Sequence, residues 1–283
     1  MKRVSIDIKK NQNVDIYKIL AAAITPRPIA FVSTKNKMGI SNLSPYSFFN
    51  AFSVDPPIVV FSPTGKPKGK DQKDTLSNII ETKECVIGIV NTKIVQQISL
   101  TSCEYPSGIN EFEKAGLTEV KSDLVNASLI GESNINMECR LVKVIPLGKK
   151  SSSGNLVVCE VLKFHVNEKI MNHNFEIDPK KLDAVSRHGG NFYGKTTEDS
   201  IFEIPKPKAK IGMGFDKLPE KIRTSSVLSG NELAILASYE DIPKKDPDFI
   251  CNLTSLQTHE EAKKLINDKS VEESYLGGTR ANV

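Results

Sequence analysis

The chain is expected to fold as a mainly β protein, an antiparallel barrel with peripheral helices and a helical extension at its C-terminal end. Three observations predict this. Short β-branched and aromatic runs recur through the first two-thirds of the 283 residues, tight turns or short helical stretches join them, and strands do not alternate regularly with long helices. A doubly wound parallel sheet would require that alternation.

The run 28–34, PIAFVST, is apolar and β-branched, and the polar turn 35–39 leads from it into a second strand-like run, which is a hairpin signal. Between 40 and 52 the pattern breaks, because Asn42, Ser44, Pro45 and Ser47 interrupt the apolar residues and Pro45 cannot donate to a strand ladder. Such a break frees backbone groups for a ligand; the plainer alternative is a hairpin with a bulge. Pro56 and Pro57 then fix the entry of a buried strand over 58–61 that ends on the polar Ser62 and Thr64, so that a polar rim borders an apolar wall.

A Pro/Gly/Lys loop over 62–74 precedes an amphipathic helix over 75–83, with Leu76, Ile79 and Ile80 inward, and ECVIGIV reads as the next strand. A helix is expected over 92–101, and a loop with a short helical turn over 105–116. Alternating residues over 134–146 and 156–166 give two antiparallel strands around a turn at 149–155. Beyond Ile204 the linker-like PKPKAK opens a stretch with helix signals over 218–224, 231–239 and 258–267, broken by Pro243 and Pro247. The expected division is a barrel domain over 1–204 and an extension over 205–283 that packs on the barrel or on a partner subunit.

The 38 basic and 34 acidic residues are interleaved and leave a net charge of +4, a pattern that does not indicate nucleic-acid binding. No apolar run approaches the roughly 20 residues of a spanning helix and the N-terminus lacks a signal-peptide core, which predicts a cytoplasmic protein with no membrane contact. Cys85, Cys103, Cys139, Cys159 and Cys251 are widely spaced and expected to be reduced thiols, mostly buried, and the four histidines show no metal-ligand spacing. Gly212 and Gly214 open like a dinucleotide-binding fingerprint, but Lys217 stands in place of the third glycine and no βαβ unit surrounds them.

Two segments carry charge beside flexible backbone. In KGKDQKDT, Thr75 or Asp74 stands where a helix cap is expected and Lys70 and Lys73 supply cations, which suits an anion and equally a solvated loop with a routine cap. In RHGGNFYG, Gly189 and Gly190 permit close backbone approach and Arg187 and His188 offer positive charge, although a tight turn with a surface arginine has the same sequence.

Four words occur in order: PRPIAFVST, NLSPYSFFNAFSVDPP, KDTLSNIIETKECVIGIVN and RHGGNFYG. Together they resemble the flavin reductase-like family of FMN-binding split barrels, which includes flavoredoxin-like proteins and the reductase components of two-component flavin monooxygenases. The resemblance implies an antiparallel Greek-key split β-barrel, FMN as cofactor, NAD(P)H as co-substrate and a homodimer with the flavin near the subunit boundary. It carries Asn42, Leu43, Ser44, Pro45, Tyr46 and Ser47 onto the segment around the isoalloxazine ring. Ser62, Lys73, Asp74 and Thr75 fall on the phosphate side, Thr75 foremost. Arg187 and Gly189 fall near the flavin, with Arg27 and His188 on the substrate side. An isoalloxazine suits such a wall, since its faces are apolar and its pyrimidine edge carries donors and acceptors. The implied activity is hydride transfer from NAD(P)H to flavin, needing no nucleophile or metal, with a monooxygenase or electron-transfer protein as possible partner. The alternatives are a flavoredoxin-like electron carrier that does not use NAD(P)H and a non-catalytic split-barrel binding module.

Overall fold

The computed structural model describes residues 1–10, 14–64, 73–150, 153–204, 206, 211–242 and 254–267. They fall into two compact units, Met1–Phe202 and Glu203–Val283. Lys70, Cys251, Pro243, Pro247 and most of PKPKAK lie outside the described residues.

The first unit contains strands β1 (Arg27–Pro28), β2 (Ala30–Lys35), β3 (Ser41–Tyr46), β4 (Phe49–Val54), β5 (Pro57–Phe61) and β6 (Glu84–Ile89). It continues with β7 (Glu119–Val120), β8 (Leu129–Ile130), β9 (Ile135–Pro146), β10 (Asn155–Val166), β11 (Val185–Arg187) and β12 (Tyr193–Lys195). Helices α1 (Ile16–Ala23), α2 (Asp74–Thr82), α3 (Val95–Leu100), α4 (Glu111–Ala115) and α5 (Pro179–Leu182) connect or flank them. Seven strands make one antiparallel sheet in the order β3-β2-β6-β9-β10-β5-β4.

That sheet curls into a barrel. Tyr46 on β3 and Phe61 on β5 are five strands apart in the order, about 24 Å in a flat sheet, yet their ring centroids lie 5.3 Å apart. Curling directs Val32, Tyr46, Phe61, Ile87, Met137 and Val157 into a shared interior, where Leu76 and Ile79 of α2 fill the remaining space. A second apolar cluster on the outer side of β2 buries Phe31 and Leu43 against Ile98 of α3 and Phe112 of α4.

The pairing of residues 41–46 corrects the expected interruption of the second strand. All six residues pair with β2, in register from Ser41 opposite Lys35 to Tyr46 opposite Ala30. Pro45 is tolerated because β3 is an edge. The Leu43 N–H points away from β2, so at the alternating position Pro45 the missing donor also falls on the open side. At the hairpin turn the Asn36 side chain accepts from Met38 N and Ile40 N, and Gly39 adopts φ +81°.

Cys85, Cys139 and Cys159 are buried and free on the adjacent strands β6, β9 and β10, and Cys103 is free and exposed. Among the described residues, Asp123, Glu138 and His165 bring side-chain ligand atoms within 4.8 Å of one another. This cluster is a clamp. The fully buried Glu138 accepts from the N–H groups of Asp123 (3.1 Å), Leu124 (2.6 Å) and Val125 (2.9 Å), and the His165 ring lies at 2.6 Å. Both of its oxygens are thus engaged in holding the 122–126 loop to β9.

The second unit has its own core, in which Leu218 and Leu228 pack with residues of α6 (Glu220–Arg223), α7 (Gly230–Ala237) and α8 (Ser255–Asn267). Among the described residues its three α-helices correspond to the three expected, with α7 opened by a Ser229/Glu232 capping box. Among the described residues, no helix is long and apolar enough to cross a membrane.

Candidate functional site

The open edge of β3 is one wall of a cleft of about 500 Å³. Asn42, Ser44, Pro45 and Tyr46 line it from β3, Lys73, Asp74 and Thr75 from the start of α2, and Glu111 from the start of α4. Tyr17 of α1 and Tyr105 bring further aromatic surface. The two segments singled out for a ring and for an anion therefore share one cavity.

A buried polar chain sets this geometry. Asn42 Nδ2 donates to both Glu111 oxygens at 3.0 Å, the Leu43 N–H donates to Glu111 Oε2 at 2.9 Å, and Thr75 Oγ1 donates to Asn42 Oδ1 at 2.6 Å. Asn78 Nδ2 donates to Thr34 Oγ1 at 3.0 Å, extending the chain into β2. Burial pushes the Glu111 carboxyl above the usual glutamate range, against the opposing pull of the Leu43 N–H and the Asn42 amide. Glu111 escaped the sequence reading because its partners lie 68 and 69 positions away and nothing local to 105–116 signals them.

The helix start also differs from expectation. Lys73 is the N-cap and makes no side-chain cap hydrogen bond, while Asp74 and Thr75 are the first two helical residues. Asp74 Oδ1 accepts from Ser107 Oγ at 2.9 Å. The Thr75 side chain is buried with its proton committed to Asn42, and the N–H groups of Leu76 and Ser77 bind Lys73 O, so the helix start faces the cleft with the backbone N–H groups of Asp74 and Thr75. Lys73 Nζ lies 5.2 Å above the Tyr46 ring, and the buried Tyr46 hydroxyl has no hydrogen-bond partner among the described residues.

The remaining singled-out residues lie elsewhere. Leu43 points into the apolar cluster behind β3. Ser47 sits in the β3–β4 connection, and the Ser62 N–H is bound to Phe48 O at 2.8 Å. Arg27, Arg187, His188 and Gly189 gather around the three-stranded sheet β1-β11-β12, outside the lining of the cleft. Arg187 stacks on Tyr193 at 4.3 Å.

A hollow of about 530 Å³ lies at the other end of β3, between Ser41, Asn110 and Glu119. It has no aromatic lining, and Glu119 is engaged by Ser41, Ser128 and Asn110. A planar heterocycle is better matched by the cleft walled with Tyr17, Pro45 and Tyr46.

Residues 22–177 match the flavin reductase like domain. The chain belongs to the flavin reductase-like family. Protein BH2278 of Halalkalibacterium halodurans is 37% identical over 193 residues, spanning 68% of this chain and 90% of that protein. Nitrilotriacetate monooxygenase component B from Bacillus cereus is similar in structure with a TM-score of 0.67 at 35% identity, over 72% of this chain and 100% of that one. A structure with a split barrel domain from Shewanella frigidimarina shares the fold, with a TM-score of 0.62 at 21% identity over 72% of this chain and 100% of that one. The architecture is therefore a split barrel, and the family is one of flavoproteins.

Proposed function

We propose that the cleft binds FMN, with the ring against β3 and the phosphate toward Lys73 and the start of α2, and that the protein is an NAD(P)H-dependent flavin reductase. One observation carries this reading: the β3 edge and the α2 N-terminus open into the same cavity.

The residues present fit the group. By the strand alternation the carbonyl of Pro45, which lines the cleft, faces the open edge and can accept from the ring, whereas the Leu43 N–H is taken by Glu111 and Pro45 has none. Donors come instead from the first N–H groups of α2, beside the Lys73 ammonium. FMN, when bound, supplies a hydride-accepting ring; the chain positions it and excludes water from one face. In this proposal a homodimer places the exposed edge of β4, with Phe52 and Val54, near its boundary. Arg187 and Gly189 stand near the flavin and Arg27 and His188 behind the substrate side, outside the lining of the cleft, and the partner would be a monooxygenase that takes the reduced flavin.

The test is an absorption spectrum of the purified protein titrated with FMN, followed by anaerobic addition of NADH and NADPH. Saturable FMN binding and bleaching by a nicotinamide are the expected results. Binding without bleaching by either would make the protein an electron carrier, and no binding at micromolar FMN would end the flavin reading. Lys73→Ala is expected to weaken FMN by about 1 to 2 kcal/mol and riboflavin far less. Thr75→Ala, which loses the bond to Asn42 rather than one to phosphate, is expected to weaken both ligands equally, by about 1 kcal/mol; calorimetric titration of the two ligands measures the difference.

A further inference from the structure

We infer that α1 is a seated strap whose Tyr17 packs against the planar ring held in the cleft, and that Arg27, His188 and Gly189 act by seating that helix. The inference rests on the flavin reading above.

α1 has only eight residues, too few to be stable alone, and its one buried residue is Ala21. It is held by Arg27, a few residues beyond its end, and by the distant segment around His188. The Arg27 guanidinium, 5% exposed, donates through Nη1 to the carbonyls of Ala21 and Ile24 at the end of α1 and through Nη2 to His188 O at 3.3 Å. Thr25 Oγ1 lies 2.5 Å from His188 Nδ1. Gly189 passes so close beneath the helix that a Cβ there would stand 2.8 Å from Ala22 Cβ. Glycine is thus required at 189 by contact.

This seat aims one aromatic side chain. Tyr17 lines the cleft together with Pro45 and Tyr46, yet remains 64% exposed. Its ring leans on Phe48 at 6.4 Å, and Phe48 carries the Arg27 guanidinium at 5.7 Å, so the seat and the aromatic ring are joined through one residue. An exposed ring on the wall of a cleft with apolar surface gains burial and a stacking partner when a planar heterocycle enters. Tyr17 precedes the stretch matched by the family model, which starts at residue 22.

The experiment measures FMN affinity and the fluorescence of bound flavin, since a phenol in contact with an isoalloxazine quenches its emission more strongly than a phenyl ring. Tyr17→Leu is expected to raise Kd about fivefold and brighten the bound flavin, whereas Tyr17→Phe brightens it with Kd nearly unchanged. Gly189→Ala, checked for a native thermal transition, is expected to reproduce Tyr17→Leu through displacement of α1. Unchanged affinity and emission in Tyr17→Leu and Tyr17→Phe, with Lys73→Ala still separating FMN from riboflavin, would overturn the inference and leave the flavin site standing. Failure of the wild-type chain to bind FMN would instead remove both.

Discussion

Glu111→Ala is expected to cost about 3 kcal/mol of stability and to lower flavin affinity by more than tenfold. The carboxylate is buried and is the acceptor for the Leu43 N–H and both contacts of Asn42 Nδ2. Its removal leaves two buried donors without an acceptor, each costing on the order of 1 to 3 kcal/mol, and releases β3 from α4 where the strand forms the cleft wall. Glu111→Gln keeps one oxygen in place and is expected to lose much less of both quantities. Denaturant unfolding and FMN titration of the pair check this. Equal losses in the two variants would mean that charge rather than hydrogen-bond acceptance is what the site uses.

Glu138→Ala should be at least as damaging to the fold, about 3 to 5 kcal/mol, while sparing FMN affinity in whatever fraction stays folded. Burial alone would raise this carboxyl, but the His165 ring and the N–H groups of Leu124, Asp123 and Val125 hold it below the usual glutamate range. A depressed folded value stabilises the native state at pH above the unfolded value, here 4.5, and that contribution is lost as pH falls through the folded value. Stability of the wild-type chain is therefore expected to decline below about pH 4.5, and Glu138→Gln should flatten that decline. An acid limb unchanged in Glu138→Gln would assign the decline to other carboxylates.

Much of the fold was legible because its signals are local. The apolar run before Ser62, the amphipathic pattern around Leu76 and Ile79, and the long alternating strands β9 and β10 each bury one face, and each forms where its pattern lies. Pro45 misled, because a missing donor reads as a break unless it is known that the strand is an edge and that the donor would face outward. Helix α1 gave no usable period: IYKILAAA is apolar on almost every side and is held by Arg27 rather than by an amphipathic face. The candidate site was half legible. Asn42 and Lys73 to Thr75 stand in recognisable words, whereas Glu111 and Tyr17 reach the cleft through contacts with no sequence-local trace.

The placement of α2 has a thermodynamic corollary. Leu76 and Ile79 plug the barrel from the same short helix whose opening turn faces the cavity, so an occupant of that cavity cannot be gained or lost without changing the free energy of the whole plugged body. Heat tolerance of this unit should climb with the logarithm of free ligand once the ligand exceeds its Kd, by mass action alone.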